Sequence, residues 1–179
     1  MDFDRQPTLI GESILLRPLE YPDYDDVSKA ASDPSIWELH PASDRHVEAT
    51  FRSYFEERLA SGGSLVVVER SSDRVLGWSS YGRHVEAFDE VEIGWTFLIR
   101  VVWGGETNRQ VKELMLRHAF ETVGTVSFRI ATRNLRSRRA TEKLGAVLTD
   151  RAHSIEFNGV AVPHVVYTVT WEQFVDSAA

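Results

Sequence analysis

The spacing of apolar residues changes after Leu98, and that change dictates the kind of sheet this chain can build. Leu65-Val-Val-Val-Glu69, Val75 to Arg83 and Val91-Glu-Ile-Gly-Trp-Thr-Phe-Leu98 are short apolar runs parted by the polar turns Ser71-Ser-Asp-Arg74 and Ala87-Phe-Asp-Glu90. They read as an antiparallel meander. From Thr107 to Thr122 the period differs: Val111, Leu114, Met115, His118 and Ala119 lie at the spacing of an amphipathic helix. Val126 to Thr132 returns to strand. A helix joining two strands of one sheet makes a right-handed crossover, so the runs on either side of it should be parallel.

The flanks extend this pattern. Ser13 to Arg17, followed by Pro18, suits an edge strand. Tyr21 to Ala31 and Ser43 to Ala60 read as helices. The second has Ser43 or Asp44 as its cap, Val47, Phe51, Tyr54, Phe55 and Leu59 on one stripe, and Ser61-Gly62-Gly63 as its stop. Leu135 to Leu144 reads as a helix with Asn134 as N-cap and Gly145 just past its end. Two last strands, Ala146 to Phe157 and Val162 to Trp171, flank the hairpin signal Asn158-Gly159. The expectation is a single α/β (α+β) domain over residues 1–179, with a mixed, mostly antiparallel sheet of about seven strands and four helices. A chain of this length buries roughly 70% of its unfolded surface, enough for an independent core.

Composition removes several classes of function. The chain has 27 acidic and 20 basic side chains, a formal charge of −7, which argues against a general nucleic-acid binder. It has no cysteine, hence no disulfide, thiolate metal site or cysteine nucleophile. The histidines, at 40, 46, 84, 118, 153 and 164, show no ligand-type pairing, and no metal site is expected. No apolar run approaches the roughly 20 residues that span a bilayer. MDFDRQPTL has neither a basic nor an apolar leader segment, so the expectation is a cytoplasmic protein without a membrane partner.

The segment that can carry chemistry is Ile99-Arg-Val-Val-Trp-Gly-Gly-Glu-Thr-Asn108, between the third meander strand and the long helix. A glycine-containing strand-to-helix turn presents free backbone N–H groups at the positive end of a helix dipole, which is an anion site. The same two glycines also suit a plain tight turn. There is neither a GxGxxG nor a Gly-Lys-Ser/Thr sequence, so the dinucleotide and P-loop motifs are excluded.

Four segments in order resemble the GNAT superfamily of acyl-CoA-dependent N-acyltransferases, in particular its RimJ/RimL-like branch. They are Leu15-Leu-Arg-Pro-Leu19 with Asp23 and Asp25; Glu92-Ile-Gly-Trp-Thr-Phe-Leu98; Trp103-Gly-Gly-Glu-Thr-Asn108 with Lys112 and His118-Ala-Phe-Glu121; and Arg133-Asn-Leu-Arg-Ser137 through Glu142-Lys-Leu-Gly-Ala146. The resemblance runs from about Leu15 to Trp171. One departure stands out. The superfamily loop, Arg/Gln-x-x-Gly-x-Gly/Ala, falls on Trp103, Glu106 and Asn108, while the glycines lie at 104 and 105. Glu106 suits a pyrophosphate site only if its carboxylate turns to solvent.

The resemblance implies that the fourth and fifth strands are parallel and splayed, and that acetyl-CoA lies between them as cosubstrate, with no metal. Its pyrophosphate would meet the backbone N–H groups of residues 104 to 108, and its pantetheine would run beside Phe97, Leu98 and Ile99. The implied cofactor contacts are Phe97, Leu98, Ile99, Trp103, Gly104, Gly105, Glu106, Thr107, Asn108, Asn134, Ser137 and Arg138. Arg136, Arg138, Arg139 and Lys143 form a basic patch, either a solvated face or an attraction for the 3′-phosphate. A general base is needed because an amine of pKa near 10.4 is mostly protonated at neutral pH. Glu92 is the candidate, with Glu90 in reserve; otherwise Glu92 is a solvated strand carboxylate or a partner of Arg83. Strict alternation would place it on the face of Gly94 and Thr96, opposite Ile93 and Trp95. Ser137 is the candidate acid, and Trp37, His40 and Glu92 are candidates for the acceptor side.

The implied activity is transfer of an acetyl group to a primary amine, on a protein or peptide N-terminus or a small molecule. The alternative is a CoA-binding sensor or regulatory module without efficient catalysis. Homodimers are common in this branch. The acidic balance by itself favours a cationic acceptor.

Overall fold

The computed structural model describes residues 3–157 and 159–177. Its eight strands form one sheet in the order β1-β2-β3-β4-β5-β6-β8-β7. The strands are β1 (Leu9–Ile10), β2 (Ile14–Pro18), β3 (Ser64–Glu69), β4 (Arg74–Tyr81), β5 (Glu90–Leu98), β6 (Thr125–Ala131), β7 (Val147–Phe157) and β8 (Val160–Thr170). The helices among the described residues are α1 (Tyr24–Ala31), α2 (Glu48–Ser61), α3 (Thr107–Ala119), α4 (Leu135–Glu142) and α5 (Trp171–Ser177), with short 3-10 turns between. The fold is the expected mixed sheet, enlarged by the two-residue β1 and the terminal α5. All neighbouring strands are antiparallel except β5 and β6.

The second helix starts later than its sequence suggests. Ser43 and Asp44 precede a turn in which the Val47 N–H donates to the Asp44 carbonyl. The helix then begins at Glu48 behind Val47, which offers no capping side chain. Asn158 lies outside the described residues, but Phe157 pairs with Val160 across the expected hairpin.

The two faces of the sheet bury different helices. Trp78 of β4 packs on Phe51, Tyr54 and Phe55 of α2, with ring centroids 5.4, 5.2 and 6.4 Å away. Tyr24 of α1 joins the same cluster through Phe55. Three residues on, Tyr81 points to the other face, and its hydroxyl donates to the Met115 carbonyl of α3 at 2.7 Å. His118 of α3 is half-buried at the rim of that core, packed on Phe3 and Tyr81, with its Nε2 2.8 Å from the Asp4 carbonyl. Gly77 is required where β4 meets β5. A Cβ there would lie 2.1 Å from the Phe97 carbonyl oxygen, and its φ is +140°.

Three residue pairs hold β5 to β6: Glu90 with Thr125, Val91 with Val126 and Glu92 with Ser127. Beyond Glu92 the strands part. β5 continues against β4 alone and β6 against β8 alone. The resulting V opens toward the α3 and α4 N-termini, because both helices follow the C-terminal ends of these two strands. No helix among the described residues is long and apolar enough to cross a membrane.

Candidate active site

Glu92 stands at the apex of the V. Its Oε2 lies 3.3 Å from Arg129 Nε of β6, and the two side chains are 13% and 38% exposed. The ion-pair partner is therefore Arg129, across the parallel pair, and not Arg83. Burial pushes the Glu92 carboxyl above the usual carboxylate range, and Arg129 partly opposes that shift. Glu90, the reserve candidate, is held by Arg151 at 2.9 Å.

The face of the sheet that Glu92 shares differs from the expectation. Trp95 takes φ +51°, a left-handed conformation rare for a bulky residue, and the β4–β5 register shifts between Trp78 and Ser80. This bulge turns Trp95 onto the α2 face beside Glu92. A Cβ at Gly82 would lie 3.1 Å from Glu92 Cβ and 3.6 Å from Trp95 Cη2, so both side chains adjoin the same spot. Thr96 is turned to the α3 face, where its Oγ1 bonds Ser79 Oγ at 2.7 Å. Period-two alternation fails here because a bulge inserts one extra residue. Trp78 Nε1 fixes the bulge by donating to the Trp95 carbonyl at 2.8 Å.

Under the bulge lies Lys112 of α3. Its Nζ donates to Thr96 Oγ1 at 2.6 Å and to Ser79 Oγ at 3.0 Å. Desolvation lowers its pKa to about 7. Lys112 thus ties the helix that follows the glycine turn to the strand that carries Glu92.

The glycine turn fits an anion. Among the described residues, the backbone N–H groups from Gly104 through Arg109 have no protein acceptor, and Gln110 is the first to donate, to the Glu106 carbonyl at 2.8 Å. Gly104 takes φ +73° with open space around it. Glu106 is 73% exposed and forms an ion pair with Arg109, which also holds Glu113 at 2.9 Å. The carboxylate therefore turns to solvent, and the N–H groups at the start of a 13-residue helix stay free for a phosphate. Thr107 and Asn108 are the first two residues of that helix. Trp103 seats the turn on β5, its Nε1 donating to the Leu98 carbonyl at 2.9 Å. Phe97 is packed 4.9 Å from Trp78, and the Ile99 N–H donates to Leu76 at 2.8 Å.

On the other arm of the V, Asn134 caps α4 by accepting from the Ser137 N–H at 3.1 Å. The Ser137 hydroxyl itself has no hydrogen bond among the described residues, so it is free to donate. Arg138 is committed to the sheet, donating to the Tyr167 hydroxyl at 3.0 Å and the Thr132 carbonyl at 3.2 Å. Arg136 bridges three segments: its guanidinium lies 4.0 Å from the Trp103 ring centre and donates to the Ile36 carbonyl at 3.3 Å. Arg139 and Lys143 remain exposed.

The acceptor-side candidates are less open. Trp37 is 3% exposed and donates its indole N–H to the Ala31 carbonyl at 2.8 Å, so it is packed in the core. His40 Nδ1 accepts from the Ala42 N–H at 2.9 Å. Burial and the neighbouring Arg45 lower its pKa to about 3, so the ring is neutral at physiological pH. Arg129, Arg58 and Arg45 also surround this region and were not singled out from the sequence. Arg58 had a signal, since it continues the Phe51, Tyr54 and Phe55 stripe of α2 toward the sheet. Arg129 had one only through strand register.

Residues 13–147 match the family described as an acetyltransferase (GNAT) domain. A GCN5-related N-acetyltransferase from Brucella melitensis superposes with a TM-score of 0.84 at 16% identity, over 96% of this chain and 82% of that one. RimJ from Mycobacterium smegmatis, solved with CoA-disulfide, gives 0.74 at 18% identity, over 97% and 91%. The microcin C7 self-immunity acetyltransferase MccE, solved with acetyl-CoA and AMP, gives 0.73 at 14%, over 94% and 99%. These likenesses are of fold. No curated protein matches the chain in sequence. The matched segment contains the meander, the glycine turn, the V and α4, and the chain belongs to the GNAT acetyltransferase family.

Proposed function

We propose that this N-acetyltransferase moves an acetyl group from acetyl-CoA to a primary amine, on a protein N-terminus or a small molecule, by direct attack in a single complex. The observation that supports it most is a buried carboxylate, Glu92, at the apex of the β5–β6 V, with acceptor-free N–H groups at the mouth of the same V.

Acetyl-CoA, when bound, supplies an activated thioester and a thiol leaving group. The N–H groups of residues 104–109 would hold its pyrophosphate, with Glu106 kept aside by Arg109. The free edge of β5 at Phe97 and Leu98, with Ile99 just past its end, would run beside its pantetheine, where the Leu98 carbonyl is already taken by Trp103 and the Ile99 N–H by Leu76. Asn134, Ser137 and the exposed Arg139 and Lys143 line the α4 side, while Arg138 holds that helix to β8.

Glu92 accepts the proton of the attacking amine, directly or through one water. Its raised pKa makes it a stronger acceptor than a surface carboxylate. The unpaired edge of β5 beyond Glu92 can direct an N–H at the oxygen on which charge develops. The Ser137 hydroxyl, without a hydrogen bond among the described residues, would donate toward the departing sulfur.

The test is thiol release from acetyl-CoA against a panel of primary amines, preceded by a thermal shift with acetyl-CoA and CoA. A ligand at a hundred times its Kd adds about 2.7 kcal/mol of stability, a readable change. Stabilisation together with amine-dependent thiol release supports the proposal. Stabilisation without thiol release for any amine would favour a CoA-binding module instead.

A further inference from the structure

We infer that the acceptor amine carries a carboxylate, held by Arg58 and Arg45 on the α2 side of the cleft; this rests on the acetyl-transfer reading above and narrows its substrate class.

Arg58 lies in the last turn of α2 and is 7% exposed. One of its terminal nitrogens reaches Glu57 at 2.6 Å, but that carboxylate is itself largely in solvent. Its Nε is buried with no hydrogen-bond partner. A guanidinium has five N–H donors, and leaving a buried charged donor unpaired is costly. The guanidinium carbon sits 4.6 Å from the Trp95 ring centre. Trp95 and Glu92 adjoin the same spot at Gly82, so Arg58 and Glu92 flank one indole.

Arg45 adds a second positive charge. It stacks 3.5 Å from the Tyr54 ring centre, with His40 Nε2 3.1 Å from its Nη1. Among the described residues it forms no ion pair. Burial lowers its pKa; Tyr54, Glu57 and Asp44 oppose that shift and the nearby Arg58 adds to it. One buried and one half-buried guanidinium therefore share one region; of the carboxylates that act on them, Glu57 and Asp44 face solvent and Glu92 is engaged by Arg129.

A carboxylate on the acceptor supplies the ion-pair partner that Arg45 lacks among the described residues, beside an Arg58 paired only at its solvent side. A planar guanidinium edge suits it, through charge-assisted hydrogen bonds. Anchored there, on one side of Trp95, the acceptor presents its amine toward Glu92 on the other. The local field is thus opposite to that suggested by the acidic net charge, and a cationic acceptor would meet repulsion.

The experiment compares kcat/KM for glycine, alanine and glutamate with their α-amides, and for 4-aminobutyrate with butylamine, per unprotonated amine. The carboxylate members are expected to lead by roughly ten- to hundredfold, the range of a hydrogen bond to a charged group. Arg58→Gln and Arg45→Gln should each narrow that gap, and Arg58→Lys should restore part of it. A second arm needs no turnover: N-acetylglycine should raise the Tm of the wild type and N-acetylglycinamide should not. Both wild-type comparisons stand even where a buried-arginine variant fails to fold. Amides and butylamine used as well as the acids, with no Tm difference, would overturn the inference and leave acetyl transfer intact. Absence of thiol release with these compounds and with the wider panel of amines and N-terminal peptides would remove the acetyl-transfer reading, and this inference with it.

Discussion

Arg129 Nε lies 3.3 Å from Glu92 Oε2 across the last residues at which β5 and β6 still pair. The ion pair closes the narrow end of the V and sets the proton affinity of the carboxylate there. Burial raises it and the guanidinium restrains it.

Replacing the carboxylate separates chemistry from folding. Glu92→Gln is expected to lower kcat by roughly 100- to 10,000-fold, the usual share of general acid–base catalysis. It should not lower Tm near neutral pH. A carboxyl whose folded pKa is raised destabilises the fold above that pKa, and the amide has no charge to desolvate. Steady-state kinetics and a melt on one preparation check both halves.

The Arg129 side chain should control the acid limb of the pH–rate profile. Because Arg129 lowers the Glu92 pKa, Arg129→Gln removes that restraint and moves the limb to higher pH. An acid limb that stays in place in Arg129→Gln would show that another group titrates there.

Lys112 makes the fold pH-sensitive in the opposite sense. Its folded pKa of about 7 lies below its unfolded value. Its contribution is neutral above the unfolded pKa of about 10.4 and becomes progressively unfavourable as pH falls toward 7. Lys112→Met should therefore stabilise the chain most at pH 6 and least at pH 10, since Ser79 and Thr96 keep their mutual 2.7 Å hydrogen bond. Each kcal/mol gained should raise Tm by about 2–4 °C in a chain of this size. Melts at the two pH values read the difference.

The two glycines that close approach and backbone angle single out should respond unequally. Gly77→Ala forces a Cβ to 2.1 Å from the Phe97 carbonyl, displacing the strand beside the proposed pantetheine site. A loss of about 2–4 kcal/mol is expected. Gly104→Ala meets no atom, only the φ of +73°, and should lose about 1 kcal/mol. Denaturant melts of the two variants give the comparison.

Much of this architecture was legible in residue order. The switch from strand to helical period at Thr107 announced the parallel pair, and Asn134 announced the α4 cap that the structure contains. What escaped was local. At the bulge the left-handed residue is Trp95 and not the adjacent Gly94, so alternation carried Thr96 onto the wrong face. Ser43 and Asp44 look like caps, yet the helix begins at Glu48. The Leu9–Ile10 strand and α5 are too short to leave a period. At the site, Glu92 and the glycine turn could be named, but the Arg129 pairing depends on register between strands whose paired residues lie 35 apart in sequence, and the burial of Trp37 on a tertiary contact with Ala31.

The measurement that bears most directly on the proposed chemistry is thiol release from acetyl-CoA with saturating amine, for the wild type and Glu92→Gln, from pH 5 to 9. The expected result is amine-dependent turnover by the wild type, rising through a pKa above the ordinary carboxylate range, and a low rate without that limb in Glu92→Gln. Equal turnover by both proteins across this range would contradict the assignment of Glu92 as the proton acceptor.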